Sequence, residues 1–182
     1  MQNARAIAPR SNRVPIAGRQ RGASRGRDDA PSLRDVTDWA DITAAITKAI
    51  GGDREAGRED LRRCWDRLGS DDHAKRCVLA HYLADVQDDV NTEVAWDERA
   101  LASHGLVGED ELTPIGIPSA AGLAPSLHLN LGDGYLRQGR TAEAHQELEA
   151  GLATAPALGV DRYGTMIRSG LEGLKTRLEA HS

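Results

Sequence analysis

The organisation of the chain is clearest in residues 128–156, which read HLNLGDGYLRQGRTAEAHQELEAGLATAP. Apolar side chains recur every three or four positions on both sides of Gly139, which predicts two amphipathic helices. Gly139 can adopt the left-handed conformation that follows a helix end, and Thr141 suits the start of the next helix. This stretch therefore predicts a hairpin of two antiparallel helices that share one apolar interface.

Five residues of the hairpin have sizes that suit close helix packing. Small side chains let the two helix axes approach, larger apolar side chains fill the space between them, and a proline ends the second helix. The small residues are Gly132 and Ala144, the larger ones are Tyr135 and Leu148, and the proline is Pro156.

The spacing of these residues resembles the tetratricopeptide repeat, in which Leu-Gly, Tyr, Ala, an aromatic residue and Pro follow one another at similar intervals. The residues that carry the resemblance are Leu131, Gly132, Tyr135, Ala144, Leu148 and Pro156. The sequence departs from the pattern at His128, where the family usually has Trp, and at Leu148, where it has an aromatic residue. Gly134 and Gly151 stand where alanine is usual. The match is close over about 30 residues and suggestive over about 125.

From about residue 32 the rest of the chain also alternates amphipathic helices with short capped turns. Gly51-Gly52-Asp53 ends one helix and begins the next, because glycine suits a helix end and Asp53 can accept from free backbone amides. Glycines and prolines in residues 105–118 predict a longer loop. The predicted helices span residues 33–50, 53–68, 71–86, 92–103, 120–138, 141–156 and 161–181.

Three helix pairs followed by one amphipathic helix are typical of a helical-repeat array. The sequence therefore predicts an all-α fold, and the resemblance implies a right-handed stack of about three antiparallel helix pairs plus a C-terminal capping helix. We expect residues 31–182 to form this domain, with a loop insertion at 105–118. Residues 1–30 are expected to form a disordered basic arm.

The charge of the chain is divided unevenly between this arm and the remainder. Residues 1–27 carry seven arginines and no acidic residue, so the rest of the chain has a charge of −12 within a total of −5. Clustered arginines can bind phosphates, but arginine also outnumbers lysine 20 to 3 overall and the arm has no aromatic side chain to stack on bases. We therefore expect no nucleic-acid partner; a functionless tail and contact with an acidic protein surface both remain open.

No common catalytic motif occurs in the chain: it has no Gly-rich phosphate loop, no Gly-x-Ser-x-Gly, no His-Glu-x-x-His and no Cys-x-x-Cys. Four potential metal ligands follow one another at four-residue intervals, at His73, Cys77, His81 and Asp85. They extend over about 18 Å of helix, so one ion cannot contact them all. Packing explains Cys77 more simply, and a dyad of His128 and Asp133 is disfavoured because they lie on different sides of their helix. We expect no enzyme, no cofactor and no metal.

The two cysteines, Cys64 and Cys77, are too few for a disulfide scaffold, and no secretory segment precedes them. No apolar run reaches the roughly 20 residues of a membrane span. The sequence therefore predicts a cytoplasmic protein without a membrane partner.

The tetratricopeptide resemblance implies that the first helix of each pair lines a concave groove that takes up an extended or helical peptide. Asn130 matches a groove asparagine of the family, and Asp133 and Arg137 lie on the same face. The acidic body favours basic or amphipathic partners. The expected function is a non-catalytic adaptor that binds a protein or peptide. The alternative is a regulatory protein whose Arg-rich N-terminal arm docks on its own acidic body or on another macromolecule.

Overall fold

The structure, a computed structural model, describes residues 37–181. The predicted disordered arm, residues 1–30, lies outside the described residues, and so does the beginning of the first predicted helix. Seven α-helices and two 3₁₀ turns occur between residues 37 and 181, and no strand occurs there, which confirms the all-α class. The helices are α1 (Trp39–Ile50), α2 (Arg54–Arg67), α3 (His73–Asp85), α4 (Val90–His104), α5 (Ala124–Arg137), α6 (Thr141–Thr154) and α7 (Arg162–Glu179).

Aspartates begin four of the helices. The carboxylates of Asp38, Asp53, Asp89 and Asp161 each accept a hydrogen bond from the backbone amide three residues later, which satisfies one of the free N–H groups of a helix start. The predicted role of Asp53 is confirmed. Because Asp89 is the cap of α4, this helix begins two residues earlier than the sequence pattern predicts.

The turn between α5 and α6 has the predicted glycine but a different cap. Gly139 has a φ of +77°, in the region that favours glycine. Arg140, rather than Thr141, occupies the capping position, and its side chain makes no capping hydrogen bond. Arg140 instead places its guanidinium carbon 4.0 Å from the centre of the Tyr135 ring.

Residues 37–121 form one compact unit. In it α1 packs on α2, α2 on α3 and α3 on α4. The helices α1 and α2 approach closely at Gly57 of α2, where an added Cβ would lie 2.3 Å from the Cα of Ala49 in α1. Most of α3 is buried, from Cys77 to Ala84, a segment in which apolar side chains occur on every side of the helix.

The predicted loop at 105–118 contributes to the core of this unit. It contains a 3₁₀ turn, Thr113–Ile115. Three of its apolar side chains are at most 5% exposed: Leu112, Ile115 and Ile117. The ring of His104 also hydrogen-bonds the carbonyl oxygen of Ala120 at 2.8 Å. The connection is therefore not a plain surface loop, because its own apolar side chains are buried.

Residues 122–181 form the second compact unit, in which α5, α6 and α7 pack on one another. Each of these helices has a glycine that lies against a leucine side chain of a neighbouring helix. An added Cβ would meet the Leu174 side chain at Gly132, the Leu171 side chain at Gly151 and the Leu129 side chain at Gly170, at 2.5–2.9 Å. These glycines therefore set the helix separation. The tetratricopeptide-like stacking of successive helix pairs stays a prediction.

The sequence pattern placed most apolar residues correctly. Leu131, Gly132, Tyr135, Ala144 and Leu148 are all buried, and Pro156 lies in the 3₁₀ turn Ala155–Ala157 that follows α6. The helix α5 begins at Ala124, four residues later than predicted. Pro125 is therefore its second residue, in the first turn, where a helix tolerates proline.

Ile50 and Leu152 continue the helical spacing of apolar residues in the predicted helices 33–50 and 141–156, which predicts that both side chains are buried. Leu152 and Ile50 are each 43% exposed. At the end of α6 it is Gly151, one position before Leu152, that lies against α7. The Leu152 side chain is therefore not part of the buried face of α6.

None of the helices in 37–181 is long and apolar enough to cross a membrane.

Candidate functional site

The three predicted groove residues all lie on α5, and Asp133 is at the centre of their interactions. Its Oδ2 accepts a hydrogen bond from Nε of Arg137 at 2.9 Å, one turn later on the same helix. Its Oδ1 lies 2.6 Å from Nη1 of Arg177 on α7. Each carboxylate oxygen therefore has its own arginine, and the network joins two helices.

These groups remain partly accessible to solvent. The side chains of Asp133, Arg137 and Arg177 are 29%, 33% and 48% exposed, and Asn130 is half-buried one turn earlier on α5. We call Asn130, Asp133, Arg137 and Arg177 the α5–α7 face. Accessible ion pairs contribute at most about 1 kcal/mol to folding. They can therefore be exchanged for contacts with a partner at small cost.

Sequence reasoning missed Arg177. Its distance in sequence from Asp133 is 44 residues, and only the packing of α7 on α5 brings the two charges together. A signal existed, since the C-terminal helix was expected to cap the hairpin. That expectation does not specify the rotation of α7 about its own axis, so it does not predict which polar residue of α7 contacts α5.

His128 lies in the interface between α5 and α6. Its Nδ1 is 2.7 Å from Oε2 of Glu147, and both side chains are less than a fifth exposed. This polar pair links the helices where the tetratricopeptide pattern has an indole. His128 and Asp133 therefore have different partners, and the structure provides no catalytic pairing of the two.

Two of the four potential metal ligands on α3, Cys77 and His81, are buried. Cys77 is completely buried, and this burial raises the pKa of its thiol to about 12, so the packing interpretation is confirmed. His81 is also buried and meets the ring of Tyr82 edge to face. Across residues 37–181 no three potential ligands are grouped so that they could hold a metal ion.

An open cavity of about 310 Å³ occurs in the first unit. Its acidic groups have protein partners: Asp72 accepts from the amide of Gly69 at 2.9 Å and lies 3.7 Å from the ammonium of Lys75. The lining is mostly polar. The residues are Trp39, Asp71, Asp72, His73, Ala74, Lys75 and Glu111.

Comparison with known proteins gives no relative on which to base a function. No protein-family model matches the chain, and neither a curated protein nor a solved structure is significantly similar to it.

Proposed function

We propose that the chain is a non-catalytic helical-repeat adaptor that binds a protein or peptide across the α5–α7 face. The observation that supports this proposal is the accessible ion-pair network in which Arg137 and Arg177 share the carboxylate of Asp133. Such a network gives a partner defined polar contacts on a rigid support, since α5 and α7 are packed through Gly132 and Leu174.

The charge of the chain favours a basic or amphipathic segment as the partner. Residues outside the basic N-terminal segment carry a charge of −12, which attracts cationic segments over long range. At the face itself, a partner lysine or arginine competes with Arg137 and Arg177 for Asp133. The half-buried amide of Asn130 supplies a neutral donor and acceptor beside the carboxylate.

The test is capture of partners from native cell lysate with the full-length chain and a double variant, Asn130→Ala with Asp133→Asn. We expect one or more proteins to be retained stoichiometrically by the wild type. The double variant should retain them at least about tenfold less, because a hydrogen bond to a charged group contributes roughly 1.5–3 kcal/mol. Quantitative mass spectrometry of the eluates gives the ratio.

The matched control is Glu172→Gln, which removes one negative charge from an exposed position of α7. This variant should capture as much partner as the wild type, and circular dichroism should show equal helix content in all three proteins. Equal capture by the double variant, or the absence of any stoichiometric partner, contradicts the proposal.

The same experiment separates the adaptor from its alternative, a regulatory protein that acts through its arginine-rich arm. A chain without residues 1–27 retains the whole α5–α7 face but loses seven positive charges. The adaptor proposal expects this chain to capture the same partner. Loss of capture would transfer the activity to the arm.

A further inference from the structure

Two tryptophans on adjoining helices in residues 37–121 each have arginines over their rings. The rings of Trp65 on α2 and Trp96 on α4 are edge to face, with centroids 4.8 Å apart. The guanidinium carbon of Arg76 on α3 lies 4.0 Å from the Trp65 ring centre. Those of Arg99 and Arg62 lie 4.5 Å and 5.9 Å from the Trp96 ring centre. We call these five residues the Trp–Arg cluster.

Among residues 37–181 the arginines of the cluster differ from Arg58 and Arg63 in forming no ion pair with a carboxylate. Within residues 37–181 none of the three guanidiniums has a carboxylate oxygen within 4.0 Å. Arg58 and Arg63 of α2, by contrast, form ion pairs with Asp88 and Asp60. Three positive charges thus lie over two adjoining indole rings in a chain that is acidic outside its N-terminal segment.

The stacking leaves the hydrogen-bonding edges of the guanidiniums available. An arginine that lies over an aromatic ring uses its face for the contact, while its N–H groups point outward in the guanidinium plane. Trp96 is only 4% exposed, so its ring is a fixed support for Arg99 and Arg62. Arginines restrained in this way lose less entropy when they bind a ligand.

We infer that the Trp–Arg cluster binds a diphosphate group. Planar guanidinium forks match phosphate oxygens in bidentate, charge-assisted hydrogen bonds. Three positive charges, supplied by three helices around two adjoining rings, suit two linked phosphates better than one. The group can come from inorganic diphosphate or from a nucleoside diphosphate, and the site lies outside the α5–α7 face, so it does not depend on the adaptor proposal.

The test is isothermal titration calorimetry of the full-length chain with inorganic diphosphate, orthophosphate and ADP. We expect diphosphate to bind at one site and orthophosphate to bind at least about tenfold more weakly, because it engages fewer guanidiniums. ADP should bind within about threefold of diphosphate, since the indole rings already have arginine partners and nothing in the cluster is left to recognise a base. A strong preference for ADP, or no heat with diphosphate at millimolar concentration, overturns the inference.

Variants separate this site from general attraction to positive charge. Arg76→Gln and Arg99→Gln should each weaken diphosphate binding at least about tenfold, and Arg99→Lys should restore only part of it because lysine lacks the bidentate fork. The control is Arg63→Gln, which removes the same charge from an ion-paired position beside Arg62. Equal weakening by Arg63→Gln, full rescue by Arg99→Lys, or unchanged binding by both glutamine variants overturns the inference.

Discussion

At the scale of single residues, glycines with open surroundings and glycines at helix crossings have opposite effects on stability. An added Cβ at Gly57 would lie 2.3–2.6 Å from the Cα, N and Cβ of Ala49, and backbone atoms cannot move aside without shifting a helix. At Gly173 on α7 no atom lies within 4 Å of the same added group. The first glycine is required by packing, whereas the second only lowers helix propensity.

We therefore predict opposite results for one substitution at these two positions. Gly57→Ala should lower the free energy of unfolding by about 1–3 kcal/mol or more, because α1 and α2 must separate. Gly173→Ala should raise it by roughly 0.5–1 kcal/mol through improved helix propensity. Urea unfolding followed by circular dichroism measures both. Equal midpoints for the two variants would show that the α1–α2 crossing is not as close as described.

The sequence could predict part of this residue-level picture. Gly132 was recognised because its spacing from Tyr135 and Ala144 fits a helical hairpin, and Cys77 because a small thiol on an apolar helix suits burial. Gly57 carries no such signal, since the atom it must avoid belongs to Ala49 on another helix. The partners of Asp133 and of Trp65 likewise depend on how helices are rotated, which periodicity alone does not specify.

At the scale of elements, helix ends are determined by local chemistry and helix faces by tertiary packing. All seven helices were recognisable from sequence, because each combines an apolar period with turn residues. The observed first residue of a helix differs from the predicted one where a different residue forms the N-cap, as Asp89 does for α4. The exposure of Leu152 shows the limit of the periodic pattern. Which residues of α6 are buried is determined by its two neighbours, α5 and α7, and not by the apolar period alone.

The cap of α7 provides a test at this scale. The carboxylate of Asp161 accepts from the amide of Gly164 at 2.7 Å and starts the longest described helix, which packs on both α5 and α6. Asp161→Ala should cost about 1 kcal/mol of unfolding free energy, whereas Asp161→Asn, which preserves the acceptor, should be nearly neutral. Chemical denaturation of the two variants distinguishes the cases. An alanine variant as stable as the asparagine variant would mean that the cap contributes nothing.

At the scale of the whole molecule, charge is the property most clearly fixed by sequence. The full chain has a formal charge of −5, and residues 28–182 alone carry −12. An excess of negative charge of this kind destabilises a compact state by self-repulsion, and salt reduces the repulsion because the screening length falls from about 10 Å at 0.1 M to about 3 Å at 1 M.

We predict that the chain without residues 1–27 is stabilised by salt more than the full-length chain. Its thermal midpoint should rise further between about 0.1 and 1 M sodium chloride, because its greater excess of like charge is what salt screens. Differential scanning calorimetry of both proteins gives the comparison. A full-length chain whose midpoint falls with salt while the truncated chain rises would instead indicate that the arm is bound to the acidic body.

The positions of the tryptophans make intrinsic fluorescence a probe of one of the two units. All three tryptophans, at 39, 65 and 96, belong to residues 37–121, whereas residues 122–181 contain tyrosines alone, Tyr135 and Tyr163. Selectively excited indole emission therefore reports on the first unit and is silent about the second. Recorded beside far-ultraviolet dichroism, which senses every helix, this emission shows whether the two units melt in one transition or in two.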